Sequence, residues 1–523
     1  MQEFLQRHAP VVTGCLKGFD RLVFRGTLRR VAYVDGLMSY LGVLGVLLKD
    51  FGALVLKWTE QVKTAAIDAV ERCGRPVIYM PSGQTSKEDA ARRIAERDGI
   101  REGLVCMLTA VESCQTFELH RNRERKRLEL CMRERKCLHM YRYEIHPRLG
   151  FIHVRMQTWL PFSVQVYLNG REWLSRQLDE AGIGYQRADN CFRGVADVDR
   201  AQALLDSQLR TPWAQWLDEL VARANPGIQE VLARLPLPYY WSVYQSEWAT
   251  DVMFRSPKDL SHIYPSLVHH GIKTFGSSDV MRFLGRSGPC DHGKVPATFK
   301  GECVSSFKER PEGVRLKHSL NGNSVKVYNK QGSVLRVETT INNPRQFKVF
   351  RTAEGDEKGQ PRWLPLRKGV ADTHRLAQVA DACNDRYLTA LASVAADVPL
   401  GHLARDLCRP TSWQGRRARA LNPFSPHDAN LLRAISRADF CLRGLENKDL
   451  RSLLFPPSEP GSPLRRRQSA ATTRLIRLLR AHGLLAKTPK TRRYRLSSKA
   501  RAAVSALLAA HDASAEKLTQ KAA

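Results

Sequence analysis

The run RLIRLLRAHGLLAKTPKTRRYRLSSKARA, residues 474–502, contains the pattern from which the fold of the C-terminal region can be predicted. Leu475, Ile476 and Leu479 repeat at the spacing of one helical face. Gly483 follows them, and glycine most readily takes the left-handed conformation that ends a helix. We therefore predict a helix over residues 467–482 that packs through these three apolar side chains.

Further elements are predicted on both sides of this helix. Upstream, Ser425 is a suitable N-cap, and Pro426 fits the first turn of a helix. The predicted elements are helices over 425–438, 446–454 and 467–482, strands over 484–487 and 493–496, and a helix from about 498. This order can present one rigid helix to a DNA groove and a hairpin to the DNA backbone beside it.

The predicted third helix has a polar face opposite its apolar stripe. Ser469, Thr473 and Arg477 recur at i, i+4 and i+8, with Arg466 and Arg474 beside them. Hydroxyl and guanidinium groups of this kind bind base edges and phosphates. The hairpin adds cations suited to phosphate, namely Lys487, Lys490, Arg492, Arg493 and Arg495. The alternative is a helical end cap whose basic face is only solvated.

Residues 425–512, with the quoted run at their centre, resemble the winged-helix domains of the MarR-like regulators. The run looks like the recognition helix, wing and closing helix of that family. The resemblance implies binding of double-stranded DNA, with Ser469, Thr473, Arg474 and Arg477 in base-facing positions. It does not imply a regulator, because many enzymes carry such a domain as an appendage.

The composition favours a polyanionic partner. The 523 residues include 83 Lys and Arg against 52 Asp and Glu, which gives a formal net charge of +31. Nucleic acid is the expected partner, and a membrane is not, because the most apolar stretch, residues 37–56, includes Lys49 and Asp50. The twelve cysteines contain no CxxC pair, which predicts reduced thiols in the cytoplasm.

No metal site or cofactor is predicted from spacing alone. Two groups of cysteine and histidine lack the spacing of a zinc finger or ribbon: Cys131, Cys137, His139 and His146, and Cys290, His292 and Cys303. The Walker A, HExxH, GxSxG and GxGxxG patterns are also absent from the sequence, which gives no support to ATPase, zincin, esterase or Rossmann functions.

The length predicts a multidomain protein of the α+β or α/β class. In the first part, residues 75–108 follow a strand, helix, strand order that fits a βαβ crossover. In the second part, Asn321-Gly322-Asn323 predicts a hairpin turn within a β-meander over 314–341. The predicted divisions are an α/β unit at 1–235, an α+β unit at 236–395, a basic linker at 396–424, the DNA-binding domain at 425–512 and a tail at 513–523.

The polar face of the meander could bind DNA or act on it. Lys326, Tyr328 and Glu338 share this face because side chains alternate along a strand. Tyr328 could attack a phosphodiester held by cations, with Glu338 as base or as ligand of a divalent metal. The same face carries Arg315, Lys317, Lys330 and Arg336. The alternative is a passive basic surface in which Glu338 pairs with Arg336 or a lysine.

A second strand, residues 150–157, places His153, Arg155 and Gln157 on one face. These side chains could bind a phosphate or a base, or they could be a partly exposed polar face with no ligand. A dense aromatic group could stack on unpaired bases or form packing contacts; it comprises Tyr239, Tyr240, Trp241, Tyr244 and Trp248.

Two wider resemblances bear on function. The run VKVYNKQGSVLRVET, residues 325–339, is similar to strands of phage and plasmid replication initiators, which nick DNA with a tyrosine; their His-hydrophobic-His metal motif does not accompany it. The phrases FDRLVFRG, YYWSVYQSEWATDVMF and VLRVETTINNPRQFKVF resemble a family of uncharacterised bacterial proteins and imply no activity. The sequence thus predicts a bacterial DNA-binding protein of DNA processing or of a mobile element. A transcription regulator and a structured-RNA-binding protein are the alternatives.

Overall fold

The fold mixes helices and strands, as predicted for a multidomain α+β protein. A computed structural model describes residues 1–81, 86–285, 301–353, 355, 359–392, 400–437, 440, 444–489 and 491–513. The chain forms two compact units that are each discontinuous in sequence. The first combines Met1–Cys15, Thr250–Thr339 and Asp381–Ala523, and the second combines Leu16–Ala249 and Thr340–Ala380.

The helices of the described chain are numbered in chain order. They are α1 (Gln2–Arg7), α2 (Val34–Leu44), α3 (Phe51–Glu71), α4 (Lys87–Arg97), α5 (Gly170–Glu180), α6 (Val198–Gln208), α7 (Trp213–Ala224), α8 (Gly227–Val231), α9 (Pro257–Thr274), α10 (Ser277–Phe283), α11 (Thr373–Leu391), α12 (Leu400–Leu407), α13 (Pro426–Ile435), α14 (Asn447–Leu454), α15 (Pro463–Ala481) and α16 (Ser498–Asp512). No single one of these helices has the length and apolar composition that a membrane span requires.

The strands are numbered in the same way. They are β1 (Val12–Thr27), β2 (Val77–Tyr79), β3 (Gly103–Asn122), β4 (Arg127–His146), β5 (Gly150–Gln157), β6 (Val164–Asn169), β7 (Tyr185–Arg187), β8 (Phe192–Val195), β9 (Tyr240–Phe254), β10 (Cys303–Lys308), β11 (Arg315–Leu320), β12 (Asn323–Lys330), β13 (Val334–Ile341), β14 (Lys348–Arg351), β15 (Arg362–Pro365), β16 (Thr411–Trp413), β17 (Arg416–Ala418), β18 (Leu485–Lys487) and β19 (Tyr494–Leu496).

The second unit is centred on a sheet with the order β1-β6-β5-β4-β3-β2. Strand β2 runs parallel to β3 through helix α4, which confirms the predicted βαβ crossover. The remaining neighbours in this order pair antiparallel. Helix α4 begins where the Ser86 hydroxyl accepts a hydrogen bond from the amide of Asp89, and it buries Ala91 and Ile94 against Leu108 and Tyr143.

The first unit contains the predicted meander as strands β11, β12 and β13, with β10 on its outer side. Asn321 and Gly322 have φ angles of 49° and 83°, and the second turn repeats this with Gln331 and Gly332. Left-handed conformations at both central residues match the twist of a hairpin, which is why an Asn-Gly pair predicts one. The side chains that alternate with the predicted polar face are apolar and buried, namely Val325, Val327, Leu335, Val337 and Ile341.

The C-terminal part of the first unit has a hydrophobic core of its own. Helices α13 to α16 and the β18–β19 hairpin contribute to it in the predicted order. Leu407 and Leu421 are buried in the same core. The segment 400–424, predicted as a basic linker, is therefore attached to this core through Leu407 and Leu421, although most of its described side chains are exposed or half-buried.

The two units differ from the contiguous divisions predicted at residues 235 and 395. The division between the units falls inside strand β1, at Cys15 and Leu16, and inside helix α11, at Ala380 and Asp381. A β-sheet joins strands through hydrogen bonds regardless of their separation in the chain, so composition shifts along the sequence do not mark its edges.

Candidate nucleic-acid interface

Helix α15 presents one exposed, positively charged face. Its N-cap Ser462 accepts a hydrogen bond from the amide of Arg465. Arg466, Arg474 and Arg477 are exposed, and none of their guanidinium groups forms a hydrogen bond or ion pair with a residue that the structure describes. Arg466 and Arg477 lie eleven positions apart on nearly the same side of the helix, a separation of about 16 Å along its axis.

The opposite face of helix α15 is fixed in the core. Ile476 and Leu479 are buried among the apolar side chains of the C-terminal core, and Leu475 packs at its margin. Gly483 has φ 67°, so the predicted left-handed helix end is confirmed. A helix held in this way keeps its charged face in a fixed direction, which groove recognition requires.

The two hydroxyl side chains predicted to face bases are engaged with helix α14. The Asn447 side-chain amide donates to the Ser469 carbonyl and to the Thr473 hydroxyl, each over 3.0 Å. The Ser469 hydroxyl donates to the Asn447 side-chain oxygen over 3.2 Å. Both side chains therefore help to join the two helices, and of the pair only Thr473 is exposed.

The β18–β19 hairpin exposes some of the cations that were predicted for it. Lys487, Arg492 and Arg495 are exposed. Arg493 instead forms an ion pair with Glu446 at 3.0 Å, just before helix α14. Lys490 lies outside the described residues. The hairpin thus offers three exposed cations beside helix α15, and Arg493 ties the hairpin to the helix α14 end.

A third backbone segment, which was not predicted, pairs with the hairpin. Leu445 and Tyr494 exchange two backbone hydrogen bonds, each of 2.8 Å. Gly444 makes this approach possible: its φ is 72°, and an added Cβ would lie 2.8 Å from the Tyr494 carbonyl oxygen. The signal that could have revealed this contact is a glycine followed by an apolar residue directly before a helix.

The meander side chains predicted for catalysis are close together but paired with one another. Tyr328 donates to one oxygen of Glu338 over 2.8 Å, and the Lys326 ammonium lies 2.5 Å from the other oxygen. Glu338 is buried, with a side chain 1% exposed. This geometry matches the passive alternative, in which the carboxylate is neutralised by a lysine.

The prediction that Arg336 contacts nucleic acid is wrong. Its side chain is fully buried and forms a two-point ion pair with Asp251, with contacts of 2.6 and 2.8 Å. The reason is that both faces of strand β13 are covered, which alternation along a strand does not reveal. Arg315, Lys317 and Lys330 are half-buried along the neighbouring strands.

The face of His153, Arg155 and Gln157 is also used internally. Arg155 binds Glu112 at 2.9 Å and the Tyr141 hydroxyl at 2.9 Å. Gln157 is buried, and its side-chain amide donates to backbone carbonyls. Loss of hydration, with Arg21 nearby, lowers the pKa of His153 to about 3, so its imidazole is neutral at physiological pH. These three residues do not form a free phosphate site, which favours the alternative of a polar face without a ligand over the predicted nucleic-acid contact.

Glu112 accepts the hydrogen bonds of Arg155 and Tyr141 and is held as a charged group. Burial alone would raise the pKa of Glu112, but hydrogen bonds from Tyr141, Lys87 and Arg155 outweigh it and lower the pKa to about 2. Lys87 Nζ lies 2.9 Å from the Glu112 carboxylate. Glu112 is therefore an ionised carboxylate that three neighbours hold in place.

The predicted aromatic group contributes packing more than free stacking surfaces. Trp241 and Trp248 are buried. The rings of Tyr240 and Tyr244 are partly exposed, yet Arg29 and Arg25 lie over them at 3.3 and 4.7 Å from the ring centres.

The β14–β15 hairpin carries an exposed aromatic pair that was not predicted. Phe350 and Trp363 are directly opposite each other on β14 and β15, with exposed fractions of 59% and 66%. Their ring centres are 5.7 Å apart. Lys348 shares their face by alternation and is exposed.

No family model, curated protein or solved structure matches this chain.

Proposed function

We propose that this protein binds double-stranded DNA through helix α15 and the β18–β19 hairpin. The observation that carries the proposal is the exposed face of Arg466, Arg474 and Arg477, whose guanidinium groups have no partner among the described residues. Arginine binds guanine edges and phosphates in a two-point geometry, and a helix of this length fits the major groove. The resemblance to MarR-like winged-helix domains supports the same surface.

The hairpin has a separate task in this proposal. Lys487, Arg492 and Arg495 contact the phosphate backbone beside the groove that helix α15 enters. Phosphate contacts fix the position of a protein on DNA and add affinity for every sequence. The large positive net charge of the chain adds long-range attraction. The cytoplasm is the proposed location, because the cysteines of the described residues are free thiols.

The test is a direct binding measurement with a control variant. Full-length protein is titrated against labelled duplex DNA by fluorescence anisotropy over a range of salt concentrations. Replacing Arg466, Arg474 and Arg477 together by alanine should weaken binding and reduce the salt slope by about 2–3, since each phosphate contact contributes about 0.9. The control is Arg433→Ala, which removes one positive charge from an ion pair between Arg433 of helix α13 and Asp512 of helix α16. Equal affinity of the triple variant and the control would refute the proposal.

A second candidate function concerns unpaired nucleotides and rests on Phe350 and Trp363. Exposed rings beside a cation suit stacking of bases whose backbone a lysine neutralises. We propose that the second unit holds single-stranded DNA or RNA on this pair. Trp363→Ala should weaken binding of a single strand by an amount equivalent to about 1–3 kcal/mol and leave duplex binding unchanged. The exposed Tyr79→Ala is the control; equal single-strand affinity of both variants would refute this function.

A further inference from the structure

Strands β3 and β4 bring together two thiols and an imidazole that sequence spacing did not connect. Cys137 and His139 are two positions apart on β4 and share one face. Cys114 lies on the same face of β3, where the register pairs Cys114 with Arg135 and Glu112 with Cys137. One donor atom from each of Cys114, Cys137 and His139 lies within 4.8 Å of the other two.

The distances between these donor atoms approach those of a tetrahedral metal site. With Zn–S bonds of about 2.3 Å and Zn–N bonds of about 2.0–2.1 Å, ligand atoms at tetrahedral angles are about 3.5–3.8 Å apart. The Cys137 Sγ and His139 Nδ1 atoms are 4.0 Å apart. The Cys137 thiol also interacts directly with Cys114 Sγ. Side-chain rotations that shorten the donor–donor distances by roughly 1 Å or less would complete the tetrahedral arrangement.

We propose that Cys114, Cys137 and His139 bind one Zn²⁺ ion in the second unit. Thiolate sulfur and imidazole nitrogen are the donors that zinc prefers, and two thiolates neutralise its charge. Binding through His139 Nδ1 replaces the 3.2 Å contact of this nitrogen with the Cys137 carbonyl oxygen. On binding, the two thiols release their protons to solvent, and no electron is transferred.

Glu112 lies directly opposite Cys137 and could provide a carboxylate as fourth ligand, but its oxygens are already occupied. They accept hydrogen bonds from the Tyr141 hydroxyl at 2.6 and 2.7 Å, and Lys87 and Arg155 each lie at 2.9 Å. The fourth position is therefore left to water. Three protein ligands with one open position is the coordination of zinc sites that accept an exchangeable ligand.

The site is carried by long paired strands and not by a loop, which explains why its spacing is unusual. The register of β3 and β4 sets the relation of Cys114 to Cys137, whereas zinc fingers and ribbons take neighbouring ligands from short turns. Ala110 lies directly opposite His139, and its small side chain leaves the space beside the imidazole to the ligands. Cys290 and His292, considered with the other cysteines above, lie outside the described residues.

The experiment uses the full-length protein and Co²⁺ as a spectroscopic probe for zinc. Reduced wild-type protein, stripped with a chelator, is titrated with Co²⁺ alone. We expect a thiolate-to-cobalt charge-transfer band, the visible bands of tetrahedral Co²⁺, saturation at about one ion per chain, and loss of all bands when Zn²⁺ is added. Zinc should also raise the Tm, because it binds only the folded chain.

The variants Cys114→Ser and His139→Asn should lose the charge-transfer band or shift it, while Cys131→Ser keeps it. Cys131 is the matched control because it lies on β4, outside the group, with its thiol directed to the Glu118 carbonyl. The wild-type titration decides the case even if a variant fails to fold. A wild-type protein that shows no tetrahedral bands, or bands retained in all three variants, would overturn the proposal. The proposal would also be overturned if Cys114 and Cys137 were found in a disulfide and the protein still bound no metal after that disulfide was reduced.

Discussion

The Tyr328 hydroxyl donates a hydrogen bond to the Glu338 carboxylate over 2.8 Å, between the adjacent strands β12 and β13. The second oxygen of the same carboxylate lies 2.5 Å from the ammonium of Lys326. A tyrosine that attacks phosphorus needs a free hydroxyl oxygen and a base that can take its proton. Here the carboxylate is shared with a lysine, so the group resembles a stabilising cluster that also orients its tyrosine.

The first prediction is that Tyr328→Phe lowers the stability of the fold, and that neither the wild-type protein nor this variant cleaves DNA. Removing the hydroxyl takes one hydrogen bond from a buried carboxylate, which should lower the free energy of unfolding by about 1–3 kcal/mol. Urea denaturation measures this change. Incubation of duplex and single-stranded DNA with Mg²⁺ or Mn²⁺ tests the chemistry, and cleavage that Tyr328→Phe abolishes would instead establish the nicking mechanism.

Glu338→Gln is the companion variant for that prediction. It keeps the shape of the side chain but removes the charge that Glu338 contributes to its ion pair with Lys326. We expect a loss of stability at least as large as that of Tyr328→Phe, because the substitution weakens both the buried ion pair and the hydrogen bond from Tyr328. Equal stability of Glu338→Gln and wild type would show that the pair contributes nothing.

The second prediction separates the hairpin from the helix in DNA binding. Lys487→Ala should weaken binding to all duplex sequences about equally and reduce the salt slope by about 0.9, as expected for one phosphate contact. Arg477→Ala should instead cost about 1–3 kcal/mol at preferred sequences and relax the sequence preference. Selection of binding sites from a random duplex library, repeated for both variants, measures the difference. A loss of preference in Lys487→Ala but not in Arg477→Ala would reverse the two roles.

The third prediction concerns the junction of helices α14 and α15. Asn447→Ala removes the hydrogen bonds to Ser469 and Thr473 and should lower the free energy of unfolding by about 1–2 kcal/mol. Duplex affinity should fall as well, because the direction of helix α15 is then less fixed. Asn430→Ala is the matched control, since Asn430 is exposed on α13 and makes only a 3.5 Å contact with Arg433. Thermal denaturation and anisotropy are measured on both variants, and indistinguishable values would contradict this role of Asn447.

The fourth prediction tests the close approach at Gly444. Gly444→Ala places a Cβ against the Tyr494 carbonyl oxygen in a left-handed conformation, which should cost about 1–3 kcal/mol. Gly483→Ala is the control, because Gly483 has a similar φ of 67° but open space around its Cβ position. Both variants incur the conformational cost, so a larger loss for Gly444→Ala measures the steric contact alone.

Local features of the fold could be predicted from the sequence because they depend on neighbouring residues. Gly483 ends helix α15, and Asn321-Gly322 forms the hairpin turn, since these residues adopt positive φ at little cost. The exposed arginine face of α15 was also predictable, because a 3.6-residue period fixes which side chains share a side. The apolar stripe of the same helix then determined which side is buried.

Long-range partners could not be predicted in the same way. Asp251 is 85 positions from Arg336, and no pattern along the chain connects them. The group of Cys114, Cys137 and His139 depends on the register of two long strands, which a shift of one residue would destroy. Alternation showed that Arg155 and Gln157 share a face, but it did not show that Glu112 and backbone carbonyls already occupy that face.

The last prediction is an acid sensitivity of the C-terminal core, through Asp428 and Arg419. The Asp428 side chain is 3% exposed and accepts hydrogen bonds from both Arg419 nitrogens and from the Asn422 amide. Burial alone would raise the pKa of Asp428, but these hydrogen bonds outweigh it and hold the pKa well below its usual value. The charged form is thus more stable in the folded chain than in the unfolded chain. The stability that this charged carboxylate contributes is complete above the unfolded-state pKa of about 3.9 and is lost as the pH falls below it.

Asp428→Asn should therefore lower the free energy of unfolding by about 1–3 kcal/mol at neutral pH and flatten the decrease of this free energy in acid. Urea denaturation from pH 7 to about 3 measures both, with the exposed pair member Asp512→Asn as control, and parallel acid profiles for wild type and Asp428→Asn would exclude this carboxylate as the cause.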